Sequence, residues 1–261
     1  MCIRDRFTSC QINNISDPKI ARLIFQAESA FRGGYYNAAL SIADSAISLN
    51  PKLADIHFLK GRVLTKLSRF AEAEDAYSQV ISINNKYQGA WFNIGTNNLR
   101  QNKVPQAIYN YFNEMNEHPS AQTMVQIGKA YSDLGKADSA HLSYEKAIQI
   151  NSGFAPAYMR LSHLKKDAGE INGAINHAKK GIELEPENIE YKYFMGSLLL
   201  LNGQPNLSIP YFELVVNKKP WHYWAHHNLG QALFRVGEKR KSDFYIQKAK
   251  ELQKGVQEVE N

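Results

Sequence analysis

Apolar side chains recur along this chain at intervals of three and four residues, the period of amphipathic helices, and no stretch alternates as a strand would. The clearest stretch is residues 88–120. Trp91, Ile94 and Gly95 fall on one helical turn, Ala107 and Tyr111 on a second helix, and Pro119 closes the stretch. The same order of bulky, aliphatic and small positions returns about every 34 residues, which predicts stacked helix–turn–helix units. With Gly95 as the eighth position of its unit, the frame divides the chain into 20–53, 54–87, 88–120, 121–154, 155–188, 189–222 and 223–256.

The eighth position reads Ala27, Gly61, Gly95, Gly128, Ser162, Gly196 and Gly230; the twentieth reads Ala39, Ala73, Ala107, Ala140, Ala174, Ser208 and Ser242. All are small, as antiparallel helices require where their backbones approach, and overpacking such a contact costs about 1–3 kcal/mol. Glycine inside a helix costs roughly 0.5–1 kcal/mol against alanine, so its recurrence needs a packing reason. Tyr77, Tyr111, Tyr144 and Phe212 at the twenty-fourth position, with Ile94, Ile127, Leu161, Met195 and Leu229 at the seventh, are expected to fill the core. Gly34, Gly135, Gly169, Gly203 and Gly237 supply turns between paired helices. Pro51, Pro119, Pro186 and Pro220 mark the breaks between units.

Asp17 and Pro18 suit the N-cap and first position of the first helix. Pro105 falls near a helix start and is tolerable, whereas Pro210 is expected to kink its helix or delay its beginning. The last helix, Lys239 to Lys254, carries Lys239, Arg240, Lys241, Lys248, Lys250 and Lys254 around Phe244, Ile246, Ala249 and Leu252. A terminal unit lacks a neighbour on one face, so this charge reads as a solvated cap.

These positions resemble the tetratricopeptide repeat family over residues 20–256. The resemblance implies an all-α, right-handed superhelical solenoid of antiparallel helix pairs. It also implies a concave groove, lined by the first helix of each pair, that holds a partner peptide or helix through positions 2, 5, 6, 9, 12 and 13. On those positions lie Phe58, Phe92 and Met159, part of an apolar ledge with Ile24, Val125, Tyr193 and His227. Beside it fall Arg62, Lys66, Arg100, Lys129, Arg160 and Lys166, with Asn93 and His163, against Asp55, Asp133 and Asp167. The expectation is a non-enzymatic interaction scaffold whose groove takes an acidic, partly apolar protein segment, with no cofactor. The family's carboxylate clamp is absent: Asn93 matches, but Phe58 and Arg62 before it and Gln122 and Gln126 after it do not. A backbone-binding asparagine ladder would need more than Asn93 and Asn228. His222 and His226 stand four apart, but no Glu follows His222, and packing accounts for His226 and His227 without a metal.

Composition changes this picture little. A hydrophobic share of 44% fits a packed protein, and no apolar run reaches membrane-spanning length. The formal charge of +6 favours acidic partners, but Lys and Arg are too scattered for a nucleic-acid footprint. Both cysteines, Cys2 and Cys10, stand in residues 1–16, which are expected to be disordered, so no disulfide framework holds the helices. Met1-Cys2-Ile3-Arg4-Asp5-Arg6 resembles translated adapter sequence and is excluded from the fold. Phe7-Thr8-Ser9-Cys10 resembles the tail of a bacterial lipobox, departing from it at Phe7 and in lacking an apolar segment upstream. A lipidated Cys10 would make residues 11–16 a tether and place the protein in the bacterial cell envelope, facing the periplasm; otherwise it is cytoplasmic. Residues 17–256 form the solenoid and 257–261 a frayed tail. The rival expectation is the non-catalytic arm of a truncated enzyme, which the intact upstream reading frame would distinguish.

Overall fold

A computed structural model describes residues 17–259, with side chains to residue 254. Cys10 and the lipobox-like stretch lie outside the described residues. The described chain is a succession of helices: α1 (Pro18–Arg32), α2 (Tyr36–Leu49), α3 (Ala54–Lys66), α4 (Phe70–Ile83), α5 (Ala90–Arg100), α6 (Val104–Glu117), α7 (Ala121–Asp133), α8 (Ala137–Ile150), α9 (Ala155–Asp167), α10 (Ile171–Leu184), α11 (Ile189–Leu201), α12 (Pro205–Lys218), α13 (Tyr223–Arg235) and α14 (Lys239–Val259). It divides into two compact units, up to residue 119 with 133–135, and residues 120–132 with the described residues from 136 onward. Within each unit consecutive helices pair antiparallel, and each pair packs on the next.

In the first unit, Asp17 accepts a hydrogen bond from the Lys19 amide at 2.8 Å, and Pro18 opens α1. The core runs through Ile24, Ala27, Ala39, Ala43, Ile56 and Leu59, all essentially inaccessible to solvent. The close approach expected at the eighth position is present, and its partner is the twenty-fourth. A Cβ on Gly61 would lie 2.6 Å from Cε1 of Tyr77, and one on Gly95 would lie 2.9 Å from Cδ1 of Tyr111. In the second unit the same holds for Gly128 against Tyr144 (2.4 Å), Gly196 against Phe212 (2.9 Å) and Gly230 against Ile246 (2.7 Å).

The exceptions obey the same size rule. Where the eighth residue is Ala27 or Ser162, the twenty-fourth is Ala43 or Ala178, and no ring has to be housed. Ser162 is fully buried, and its hydroxyl donates to the Ala174 carbonyl at 2.6 Å, so burying it leaves no donor unpaired.

Every turn within a helix pair places one residue in the left-handed region. Gly34, Gly135, Gly169, Gly203 and Gly237 hold it with φ between 71° and 87°. Ser68 and Asn102 hold it in the second and third repeats, with φ of 60° and 59°. Pro210 neither ends nor delays its helix: α12 begins at Pro205, in step with the second helices of the neighbouring repeats, and runs through Pro210 to Lys218. Pro205 sits at the helix start, where its missing N–H would have had no intrahelical partner. The last helix continues to Val259, beyond the close of the repeat frame at residue 256.

The fourth position of several repeats locks the preceding turn. The Nε2 of His57 lies 2.9 Å from the Pro51 carbonyl, the Nε2 of His226 lies 2.9 Å from the Pro220 carbonyl, and the Tyr158 hydroxyl donates to Ser152 O at 3.2 Å.

Candidate functional site

In the first unit, α1, α3 and α5 carry the groove positions. Phe58 is half-buried, its ring 5.0 Å from Tyr87 and 5.6 Å from Tyr77, and Tyr87 donates its hydroxyl to Asp55 Oδ1 at 2.5 Å. Phe92 leans on Tyr111 at 5.4 Å. Arg62 is not a free cation. Its Nη1 lies 3.1 Å from Oε1 of Glu28, and its guanidinium sits 4.3 Å over the Phe31 ring. Glu28 is 5% exposed and also has Arg32 at 3.9 Å, so its buried carboxylate must hold Arg62 in place. Lys66 and Arg100 are exposed and have no ion-pair partner among the described residues. The Asn93 amide is occupied by its own helix, donating to Gly89 O at 2.6 Å. Asn97, fully buried, donates to Thr65 Oγ1 at 2.8 Å and ties α5 to α3.

One functional group of this region falls at no groove position. Glu114, on α6 and 3% exposed, accepts from the amides of Gly89 (2.8 Å) and Phe92 (3.3 Å). It caps the N-terminus of α5, where four backbone N–H groups lack intrahelical partners and the helix dipole favours negative charge. That cap, with Gly89 left-handed at φ 91°, starts α5 at Ala90, inside the frame boundary at 88. The signal was a carboxylate at a position that reads Ala46, Val80, Ala147, Gly181, Val215 and Ala249 in the other repeats.

In the second unit, Lys129 on α7 and Arg160 on α9 are exposed, with no ion-pair partner among the described residues. Met159 is 5% exposed. Its sulfur would lie 2.6 Å from a Cβ on Gly181, so it plugs the space that glycine opens on α10 and offers nothing to a groove. Ile24 and Val125 are buried too, so of the expected apolar ledge only Phe58, Phe92, Tyr193 and His227 are partly exposed.

His163 stacks on Phe194 of α11, ring centroids 3.8 Å apart and planes 25° from parallel. Burial, then the charges of Lys166 and Arg160, hold the His163 imidazole below its ordinary pKa. Lys166 lies 5.9 Å over the same Phe194 ring and 3.1 Å from Asp167 Oδ1. Within the second unit, the large apolar side chains exposed on first helices are Leu201 (62% exposed) on α11, and Trp224 (58%) and Phe234 (63%) on α13. Sequence reasoning missed these three, although each stands at a second, twelfth or thirteenth position. His222 caps α13, its Nδ1 accepting from the Ala225 amide at 3.0 Å. Among the described residues no three His, Cys, Asp or Glu side chains are grouped to hold a metal ion, and no helix is long and apolar enough to cross a membrane.

The repeat geometry and the first-helix faces together define a class of helical-repeat interaction domain. Family models described as tetratricopeptide repeat match residues 26–88, 121–154 and 155–188. The chain belongs to the tetratricopeptide repeat family and is a protein–protein interaction domain of that family. It is 20% identical over 189 residues to anaphase-promoting complex subunit 3 of Schizosaccharomyces pombe, covering 70% of this chain and 28% of that protein. It is 21% identical over 196 residues to the BBSome complex member BBS4 of Bos taurus, covering 75% and 37%. The chain thus spans well under half of either relative. Among solved structures it resembles a tetratricopeptide repeat protein from Parabacteroides merdae, at TM-score 0.67 and 16% identity over 90% of this chain and 94% of that one. It also resembles the Cut9–Hcn1 hetero-tetramer of the APC/C, at TM-score 0.66 and 12% identity over 92% and 47%. At such identities the structural likeness speaks for the fold alone.

Proposed function

We propose that the chain is a scaffold whose first-helix faces capture an acidic, partly apolar segment of a partner protein. The observation that carries this reading is that exposed cations at groove positions of first helices have no ion-pair partner among the described residues: Lys66 and Arg100 in the first unit, Lys129 and Arg160 in the second. Surfaces of one sign raise encounter rates, and the effect falls with salt. That two relatives bear the names of subunits of multi-protein assemblies supports a protein partner. Arg62 is left out of this set because Glu28 already neutralises it. Cross-linking with mass spectrometry should recover a salt-sensitive partner from the intact chain and lose it on joint charge reversal of Arg100, Lys129 and Arg160. Reversal of Lys146 and Lys179, exposed on second helices, should leave capture unchanged; equal loss in both sets would refute the reading.

Membrane attachment through Cys10, at the bacterial envelope, is a further part of this proposal and rests on Thr8-Ser9-Cys10 alone. Labelled palmitate should enter the intact chain and not Cys10→Ala; equal labelling would remove the tether.

A further inference from the structure

The exposed face of the second unit's first helices changes character along its length. On α13, Trp224, His227, Gln231 and Phe234 recur at helical spacing and form one stripe, about 15 Å long at 1.5 Å per residue. Trp224 stands edge-on to His227, centroids 6.1 Å apart, and Gln231 Nε2 lies 2.9 Å from His227 Nε2, so the middle of the stripe is held in place. Helix α11 touches α13 directly and adds Leu201 and the Phe194 ring. Beyond Phe194 the stacked His163 leads onto α9, where the surface turns basic with Arg160, and Lys129 follows on α7. Of the acids at groove positions here, Asp167 is engaged by Lys166 and Glu190 by Lys219, whereas Asp133, exposed at the end of α7, has no ion-pair partner among the described residues. What remains is an aromatic surface on α13 and α11, with Arg235 at its end, and the exposed cations Arg160 on α9 and Lys129 on α7.

We infer that, given the partner capture proposed above, the second unit binds one peptide in two parts: a bulky apolar anchor against the Trp224–Phe234 stripe of α13, next to the helix that carries Leu201, and acidic side chains at Arg160 and Lys129. The charge complementarity selects an acidic segment over a basic or neutral one. The exposed rings of Trp224 and Phe234 select a Trp, Phe or Leu within it, the side chains best suited to stack on them. Neighbouring helix axes lie roughly 8–10 Å apart, so α13 to α9 spans about 16–20 Å. An extended chain rises about 3.3 Å per residue, so anchor and acid stand about five or six residues apart in the ligand.

The test is to pan a random dodecapeptide phage library on the full chain, then measure binding of the enriched peptides by fluorescence polarisation. Enriched peptides should pair a bulky apolar residue with Asp or Glu about five or six positions away. Trp224→Ser with Phe234→Ser should weaken them at least roughly tenfold, as loss of a central anchor does, and Arg160→Glu by several-fold with loss of the salt dependence. Lys179→Glu should change nothing. These sites are exposed, and unchanged circular dichroism confirms that the variants fold. Enriched peptides that lack the pairing, or that bind all variants alike, overturn the two-part site while leaving peptide capture standing. No enrichment over an uncoated surface overturns both.

Discussion

The size rule between the eighth and twenty-fourth positions makes a quantitative prediction at Gly61 and Tyr77. A methyl group on Gly61 would meet Cε1, Cδ1 and Cζ of Tyr77 at 2.6, 2.8 and 2.8 Å, and that ring is fully buried. Gly61→Ala therefore overpacks, costing about 1–3 kcal/mol, against a helix-propensity gain of about 1 kcal/mol. Tyr77→Ala leaves a cavity and costs about 3–5 kcal/mol, as for other buried aromatics. In the Tyr77→Ala background the added methyl finds open space. There Gly61→Ala should stabilise, by about 1 kcal/mol of propensity and about 0.8 kcal/mol of burial. The cycle should thus show coupling of about 2–4 kcal/mol, and the double variant should recreate the alanine pair that Ala27 and Ala43 form in the first repeat. Urea unfolding followed by circular dichroism measures all four corners. Additivity within about 0.5 kcal/mol, the behaviour of independent sites, would refute the steric account.

Further outcomes follow from local features. Ser68→Gly should raise stability by about 1 kcal/mol, since φ of 60° disfavours a side chain there; Asn102→Gly should gain less because asparagine tolerates this region, and thermal melts resolve both. Glu114→Ala should cost about 2–3 kcal/mol by stranding the Gly89 and Phe92 amides, and Glu114→Gln less, read from urea midpoints. His163, His177 and His226 are held below the ordinary histidine pKa, chiefly by burial. For His226, Nδ1 is enclosed with no hydrogen-bond partner among the described residues, so protonation would bury a second donor. The unfolded chain takes up these protons first, so stability holds above pH of about 6.5 and falls as the medium is acidified through the lowered folded-state values. Melting temperature should decline from pH of about 7 to 5, and less steeply in His226→Leu; a flat profile would contradict the assignment.

Much of the fold is legible because its constraints are local and periodic. Gly61, Gly95 and Gly128 announce a close contact between paired helices, which an aromatic ring fills, and Gly135 or Gly169 announces a left-handed turn. Pairing between repeats is harder to see. Glu28 reaches Arg62 across two helices, so the cation counted as free was already neutralised. Met159 reads as an apolar groove residue until Gly181, on the neighbouring helix, opens a space for its sulfur. Pro210 would break an isolated helix, yet α12 starts in register because tertiary packing sets its place and Pro205 suits its first turn. Trp224, Phe234 and Leu201 were visible as letters, but only their exposure separates them from core residues of the same spacing.

The central claim is that partner peptide lies along the first helices. A photoreactive benzoylphenylalanine in place of Phe92, Trp224 or, as a second-helix control, the exposed Leu142 tests this with the panned peptides as ligand. Adducts at Trp224, at Phe92 or at both, with none at Leu142, are the expected result; adducts at Leu142 as strong as those at the other two would contradict it.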